Sequence, residues 1–424
     1  MNIVVDMIIW VAYLVSLYFS VFLILVYVDY KDLFKKEMSE TSIPLEPFIS
    51  VIIPAYNEEK NIRKTIDSAL SLDYPSDKIE IIVVNHGSTD NTGKIIESYG
   101  TRVRALYLTR TSTDRKATAM NKALKIAGGD FFACLDADSF VHPLTLRKML
   151  ALYYKENDPE LAIVTPAMKV AEPKNLLQKV QWLEYLVIIL IARVTSRMDS
   201  LYVAPGPFSL YRTEIIRKLG GFDEQNITED QEIAYRIQLH HYKIKHCFDG
   251  YVYTTAPDEM KAFYLQRRRW YLGSIMCLYQ YKSLVANKRY GDFGMMQMTK
   301  STVGFILSVV GVLIVAYLLL LPFFTELKNL FLVHFNILPY LMNYEFKITF
   351  LNFLQADFRK GFIILFLFTI GAYLFQQAHR NANEKMTRFG IIPLIPYFAY
   401  YYLIKSIILL LSMIEFSRGK KVRW

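Results

Sequence analysis

The chain has 424 residues, a net charge of +10 and 53% hydrophobic residues, with a mean hydropathy of +0.21. That excludes a purely soluble globular chain, because the apolar excess collects at residues 7–28 and again after about residue 302. Basic residues flank those stretches (Lys31, Lys35, Lys36; Arg418, Lys420, Lys421, Arg423), which points to membrane lipids as partners, and no nucleic-acid-binding module is present, which argues against nucleic acid.

Residues 7–28 are apolar and long enough to cross a bilayer. No small-residue cleavage site follows, so the segment is expected to persist as an anchor. The lysines after it predict that the next domain is cytoplasmic.

Residues 48–54 (FISVIIP) read as a buried strand and residues 58–72 as a helix, with Ile62, Ile66, Ala69 and Leu70 at helical spacing. A strand at 79–84, a short helix at 92–99, a strand at 103–108, a helix at 117–127 and a strand at 131–135 follow. This alternation predicts an α/β fold with a mainly parallel sheet and helices on both faces. Ligands of such sheets bind beyond the carboxyl ends of the strands, so the polar clusters after strands one, two and four should meet at one edge.

Asp136-Ala137-Asp138 ends the fourth of these strands. Two carboxylates at this spacing suit a hard divalent cation completed by phosphate oxygens, or form a solvated acidic turn. Thr228-Glu229-Asp230 opens a helical stretch, as a cap, as a general base, or as both. Gln266-Arg267-Arg268-Arg269-Trp270 lies in a helix expected over 260–281. Its three arginines point to different faces, as a basic membrane-surface helix or as a clamp for a diphosphate. Lys116 and Asn121 are either a solvated helix face or contacts to phosphate or ribose.

The apolar stretch 183–191 reads as an interfacial helix supporting the site. His240, His241 and His246 have no metal-ligand spacing, and the three cysteines, Cys134, Cys247 and Cys277, read as reduced thiols. Further spans are expected at 302–324, 361–375 and 391–413, with 329–344 ambiguous. Five spans put the basic tail inside and the loop 380–388 outside; four reverse both. The positive-inside rule favours five. Glu384 and Lys385 in that loop are expected to be solvated.

Eight stretches, in order over about residues 48–275, resemble the membrane-bound branch of the inverting GT-A glycosyltransferases. That branch includes cellulose, chitin and hyaluronan synthases, nodulation N-acetylglucosaminyltransferases and poly-N-acetylglucosamine synthases. The stretches are Val51-Ile52-Ile53-Pro54-Ala55-Tyr56-Asn57-Glu58-Glu59, Gly87-Ser88-Thr89-Asp90, residues 116–124, residues 129–138, residues 206–212, Gly220-Gly221-Phe222-Asp223, Thr228-Glu229-Asp230 and residues 266–270.

The resemblance implies a GT-A domain over 45–258 between an anchor (1–30), interface helices (259–300) and a membrane region (301–424). It implies a nucleotide-sugar donor at Pro54, Ala55, Tyr56, Glu58, Asn85, Lys116, Asp136, Asp138, Gln266, Arg269 and Trp270. Mg2+ or Mn2+ would sit on Asp138 with Asp136, and Asp230 would be the catalytic base. A glycan or lipid acceptor would lie near Gly206, Pro207, Phe208, Glu229 and Trp270. The family's acidic residue before Gly-Ser is replaced here by Asn85 and His86, which leaves the donor base open between UDP and GDP, with UDP favoured. The expected product is a growing β-linked polysaccharide, with translocation by the enzyme itself as a further expectation; the alternative is one sugar placed on a lipid.

Overall fold

The computed structural model describes residues 3–36, 42–111, 114–332 and 358–419. Eight strands form one sheet in the order β3-β2-β1-β4-β7-β6-β8-β5. They are β1 (Ile49–Ala55), β2 (Ile79–His86), β3 (Arg104–Leu108), β4 (Phe131–Cys134), β5 (Ser139–Val141), β6 (Leu161–Val170), β7 (Ser209–Arg212) and β8 (Lys243–Thr254). Strands β1, β2, β3 and β4 run parallel, and β7 enters antiparallel between β4 and β6. Strand β8 pairs parallel with β6 and antiparallel with β5.

The first four strands end within two residues of where the sequence places them. Strand β1 is buried on both faces, as a central parallel strand must be. Ile49, Val51 and Ile53 join one core layer and Ile52 the other, in step with the two-residue period of a strand. Helices α2 (Ile62–Leu70), α3 (Thr92–Glu97), α4 (Lys116–Ile126), α5 (Thr145–Glu156), α6 (Leu176–Arg197), α7 (Thr213–Lys218) and α8 (Glu229–Leu239) cover the sheet. Helix α2 buries Ile62, Thr65, Ile66 and Ala69, a single helical stripe.

Among the described residues, four helices are long and apolar enough to cross a membrane, over Ile3–Lys31, Phe293–Tyr317, Gly361–Asn381 and Leu394–Ser417. The helices that contain them are α1 (Ile3–Lys36), α10 (Thr299–Leu332), α11 (Phe358–Asn381) and α12 (Tyr402–Ser417), the last preceded by helical turns from Leu394. The ambiguous span at 329–344 lies, beyond residue 332, outside the described residues. Helix α9 (Met260–Gln280) carries the arginine run.

Contacts fix how these helices meet the sheet domain. Tyr27, near the end of α1, donates to Gln377 near the end of α11 at 2.9 Å, so both helices run toward the domain. The α11–α12 turn docks on the domain as well. Lys169 of β6 donates to the Ala382 carbonyl at 2.8 Å and pairs with Glu384 at 3.3 Å, while Trp182 of α6 meets His379 and Phe389 edge-on. Glu384 is therefore a half-buried partner of Lys169, not a fully solvated charge; a buried lysine needs a counter-charge.

Helix α12 lies along α9 for its whole length. Tyr401 packs on Phe263 at one end and Phe416 on Tyr279 at the other, with Glu415 paired to Arg268. Helix α9 is itself held to the domain at its start, middle and end. Gln181 donates to the Pro257 carbonyl just before it, Ser274 to Gln231, and Tyr281 just after it to Glu232. Both ends of α12 thus have partners on α9.

Candidate active site

The parallel strands deliver their carboxyl ends to one edge. The β1–α2 loop is stitched to the β2–α3 loop. Asn57, left-handed at φ +53°, accepts from the Thr89 amide at 2.8 Å, and its own amide donates to the Ser88 hydroxyl at 3.1 Å. The Glu58 and Glu59 amides donate to Thr92 and Asp90. Pro54, Ala55 and Tyr56 lead into this loop. The Ala55 side chain is buried, while Tyr56 is exposed with the Arg110 guanidinium 3.8 Å over its ring.

Asn85 is buried at the end of β2, and its amide oxygen accepts from the Ser88 amide at 3.0 Å. His86 points elsewhere, to Asp114 at 3.5 Å, and burial lowers its pKa. A cleft of 780 Å³ runs beside it, lined by Asp114, Thr118, Asn121, Lys122 and Glu224 but by none of Asp136, Asp138 or Asp230. Asn121 takes the structural role. It bridges Phe222 and Glu224, anchoring the Gly220-Gly221 turn where the backbone approaches it too closely for a side chain at Gly221.

Beyond β4, Asp136 meets Lys116 at 2.5 Å, and the same ammonium reaches Glu229 at 2.9 Å. Lys116 opens α4 and Glu229 opens α8, so one lysine ties three separate segments together. Burial opposes its charge, but the two carboxylates hold its pKa well above the usual lysine value. Gly206 belongs to this point as well. A β-carbon there would stand 2.7 Å from Lys116 Nζ and 3.1 Å from Asp136 Oδ2.

Burial, with the charges of Asp136 and Glu58, raises Asp138 to about 6. Burial and Asp136 also raise Glu58, despite a hydrogen bond from Asn61. Asp136, Asp138 and Glu58 thus share one corner, an excess of negative charge that fits a cation. Among the described residues, no group of three or more His, Cys, Asp and Glu side chains is placed to hold a metal unaided.

Burial and the adjacent Glu229 raise Asp230 to about 6, against the pull of Lys116 and Arg269. Burial opposes ionisation of Glu229, but Lys116 outweighs it and Arg269 adds to the effect. Arg269 therefore acts electrostatically on both residues from α9. Gln266, Arg269, Trp270 and Gly273 share the i, i+3, i+4, i+7 face of that helix. Gly273 brings the face against Thr228, and Gln266 Oε1 is buried there with no hydrogen-bond donor among the described residues.

The sequence-predicted set is thus brought together at Glu58, Lys116, Asp136, Asp138, Glu229, Asp230, Arg269 and Gly206. Phe208 is a correction. Its side chain is fully buried in the core beside Ala133 and Leu135, held there by a left-handed φ of +61° and a bond from its amide to the Cys134 carbonyl, so it cannot touch an acceptor. Pro207 is buried with it. Residues that the sequence reading missed are Glu184 and Lys169, whose partners lie 83 positions away (Arg267) or more than 200 (Tyr401, Lys405 and Glu384). The single lysine of the last apolar stretch, Lys405, was the available signal, since a charge in such a stretch needs a partner.

The Glycosyl transferase family 2 profile matches residues 50–220. A poly-β-1,6-N-acetyl-D-glucosamine synthase of Staphylococcus epidermidis is 26% identical over 376 residues, covering 88% of this chain and 84% of that protein. The Staphylococcus aureus (strain COL) protein of the same name is 29% identical over 244 residues, 57% of this chain and 58% of that one. Among solved structures, a mannosyltransferase of Pyrobaculum calidifontis in complex with GDP-Man and Mn2+ shares the fold at a TM-score of 0.56 and 17% identity, over 97% of this chain and 100% of that one. The chain therefore carries a glycosyl transferase family 2 domain of GT-A fold and is a membrane glycosyltransferase.

Proposed function

We propose that this enzyme extends a β-linked poly-N-acetylglucosamine, taking each sugar from UDP-N-acetylglucosamine with inversion at the cytoplasmic face of the membrane. The relatives' names support the polymer over a single transfer to lipid. The observation that carries the chemistry is Asp230, raised to about 6 at the start of α8 and within electrostatic reach of Lys116, Asp136 and Arg269. A carboxylate so tuned accepts a proton near neutral pH.

In this reading, Asp230 takes the proton of the acceptor hydroxyl as that oxygen attacks the anomeric carbon. The donor's carbon–oxygen bond breaks on the opposite face, and the electron pair leaves with the nucleoside diphosphate. Arg269 faces the charge that grows on the leaving group. Asp138 and Asp136 would hold Mg2+ or Mn2+, which would neutralise charge on the donor diphosphate. Lys116 holds Asp136 and Glu229 in place and favours the charged form of Glu229. Asn85 offers its free amide NH2 to the base, its oxygen being engaged by Ser88.

The enzyme is multi-pass, with the α11–α12 turn and the end of α12 on the catalytic side. The docking of Glu384 on Lys169 and of α12 along α9 supports this sidedness. The test is a donor panel with the purified chain in detergent, reading nucleoside diphosphate release and product mass together. UDP-N-acetylglucosamine with a ladder of oligosaccharides is expected; a single glycolipid product overturns the polymer assignment.

A further inference from the structure

Arg267 and Arg268 occupy the two positions between Gln266 and Arg269 on α9, and both are committed to other partners. Arg268 pairs with Glu415 at the end of α12. Arg267 is 1% exposed and donates to Glu184 of α6 at 2.6 Å. The Tyr401 hydroxyl donates to the same carboxylate oxygen at 2.5 Å, and Lys405 of α12 pairs with the other oxygen. The Arg267 guanidinium also lies 4.1 Å over the Trp270 ring, so the group that Glu184 grips is stacked on a residue of the Gln266–Arg269–Trp270 face.

One buried carboxylate thus serves two cations from two different helices, Arg267 fully buried and Lys405 half-buried. Glu184 is 4% exposed. Burial alone would keep it protonated, but Lys405 and Arg267 outweigh that and hold it at about 2. Buried ion clusters add little net stability over apolar packing, but they are specific, because a shifted helix leaves charges unpaired. The helix fixed by this cluster presents Arg269 to Asp230, and displacement of a reacting group by about 1 Å costs rate steeply.

We propose that Glu184 is a positioning residue: it sets the register of α9 through Arg267 and ties that helix to α12 through Lys405 and Tyr401, so that Arg269 stays aimed at Asp230. The last apolar helix is then a part of the catalytic unit. The proposal rests on Arg269 and Asp230 serving sugar transfer.

The test uses the full-length protein in detergent, with nucleoside diphosphate release, donor KM and thermal unfolding measured together. Glu184→Gln is expected to lower kcat about a hundredfold while donor KM stays within about threefold. Adding Lys405→Met removes one stranded cation and is expected to recover about tenfold of that loss. Wild-type kcat in Glu184→Gln overturns the proposal, as does a rise in KM alone or a loss that Lys405→Met does not relieve. If Glu184→Gln fails to fold, Glu184→Asp keeps the charge and withdraws it by one methylene; kcat is then expected to fall about tenfold in a folded protein, and an unchanged kcat overturns the proposal. Rates are read with whichever nucleotide sugar the wild type turns over, so an incorrect donor assignment shows itself separately.

Discussion

A β-carbon on Gly273 would stand 2.1 Å from the Thr228 hydroxyl oxygen, so α9 lies against the loop carrying Glu229 and Asp230 only because position 273 has no side chain. In an unconstrained helix interior, alanine would be better than glycine by roughly 0.5–1 kcal/mol. Gly273→Ala is expected to do the reverse, pushing α9 outward and lowering kcat about a hundredfold, with a stability loss of about 1–3 kcal/mol. Turnover and thermal unfolding of the variant check this; a more stable enzyme with unchanged turnover would contradict it.

Asp230 works as a base only when ionised, and its pKa is raised to about 6. The rate should therefore be flat above that pH and fall as pH drops through it, about tenfold per unit below. A kcat profile from pH 4.5 to 8 reads this directly. A rate that stays level to pH 4.5 would remove Asp230 from the role.

Asp138 shares a crowded acidic corner with Asp136 and Glu58. Chelation of divalent cations is expected to abolish transfer, and Mn2+ or Mg2+ to restore it. Asp138→Asn should weaken donor binding measured with the metal present, because a neutral amide is a poorer ligand for a hard cation. Donor affinity unchanged by both treatments would exclude the aspartates as a metal site.

The three cysteines are buried, so engineered cysteines report sidedness against a low background. Lys385→Cys, on the exposed part of the α11–α12 turn, and Gly419→Cys, after α12, should both react with a membrane-impermeant maleimide from the side of the catalytic domain. Labelling of Gly419→Cys from the opposite side only would mean that α12 crosses the membrane.

The first four strands were legible because buried parallel strands read as apolar runs ended by polar loops, as in 48–58 and 131–138. Lys116, Asp136, Asp138 and Asp230 were legible because each sits where a strand ends or a helix begins. Phe208 was misread because its neighbours Gly206 and Pro207 belong to a site-facing loop, and the left-handed turn at 208 that sends its side chain into the core leaves no mark in residue type. The Glu184–Arg267–Lys405 cluster was invisible because it joins three helices from distant parts of the chain.

The most direct measurement is the product made from UDP-N-acetylglucosamine by wild type and by Asp230→Asn, read by mass together with UDP release. The account predicts oligosaccharides spaced by one N-acetylhexosamine from the wild type. It predicts a rate lower by about 10²–10⁴ in the variant, which still binds donor. Near-normal turnover by Asp230→Asn would contradict it.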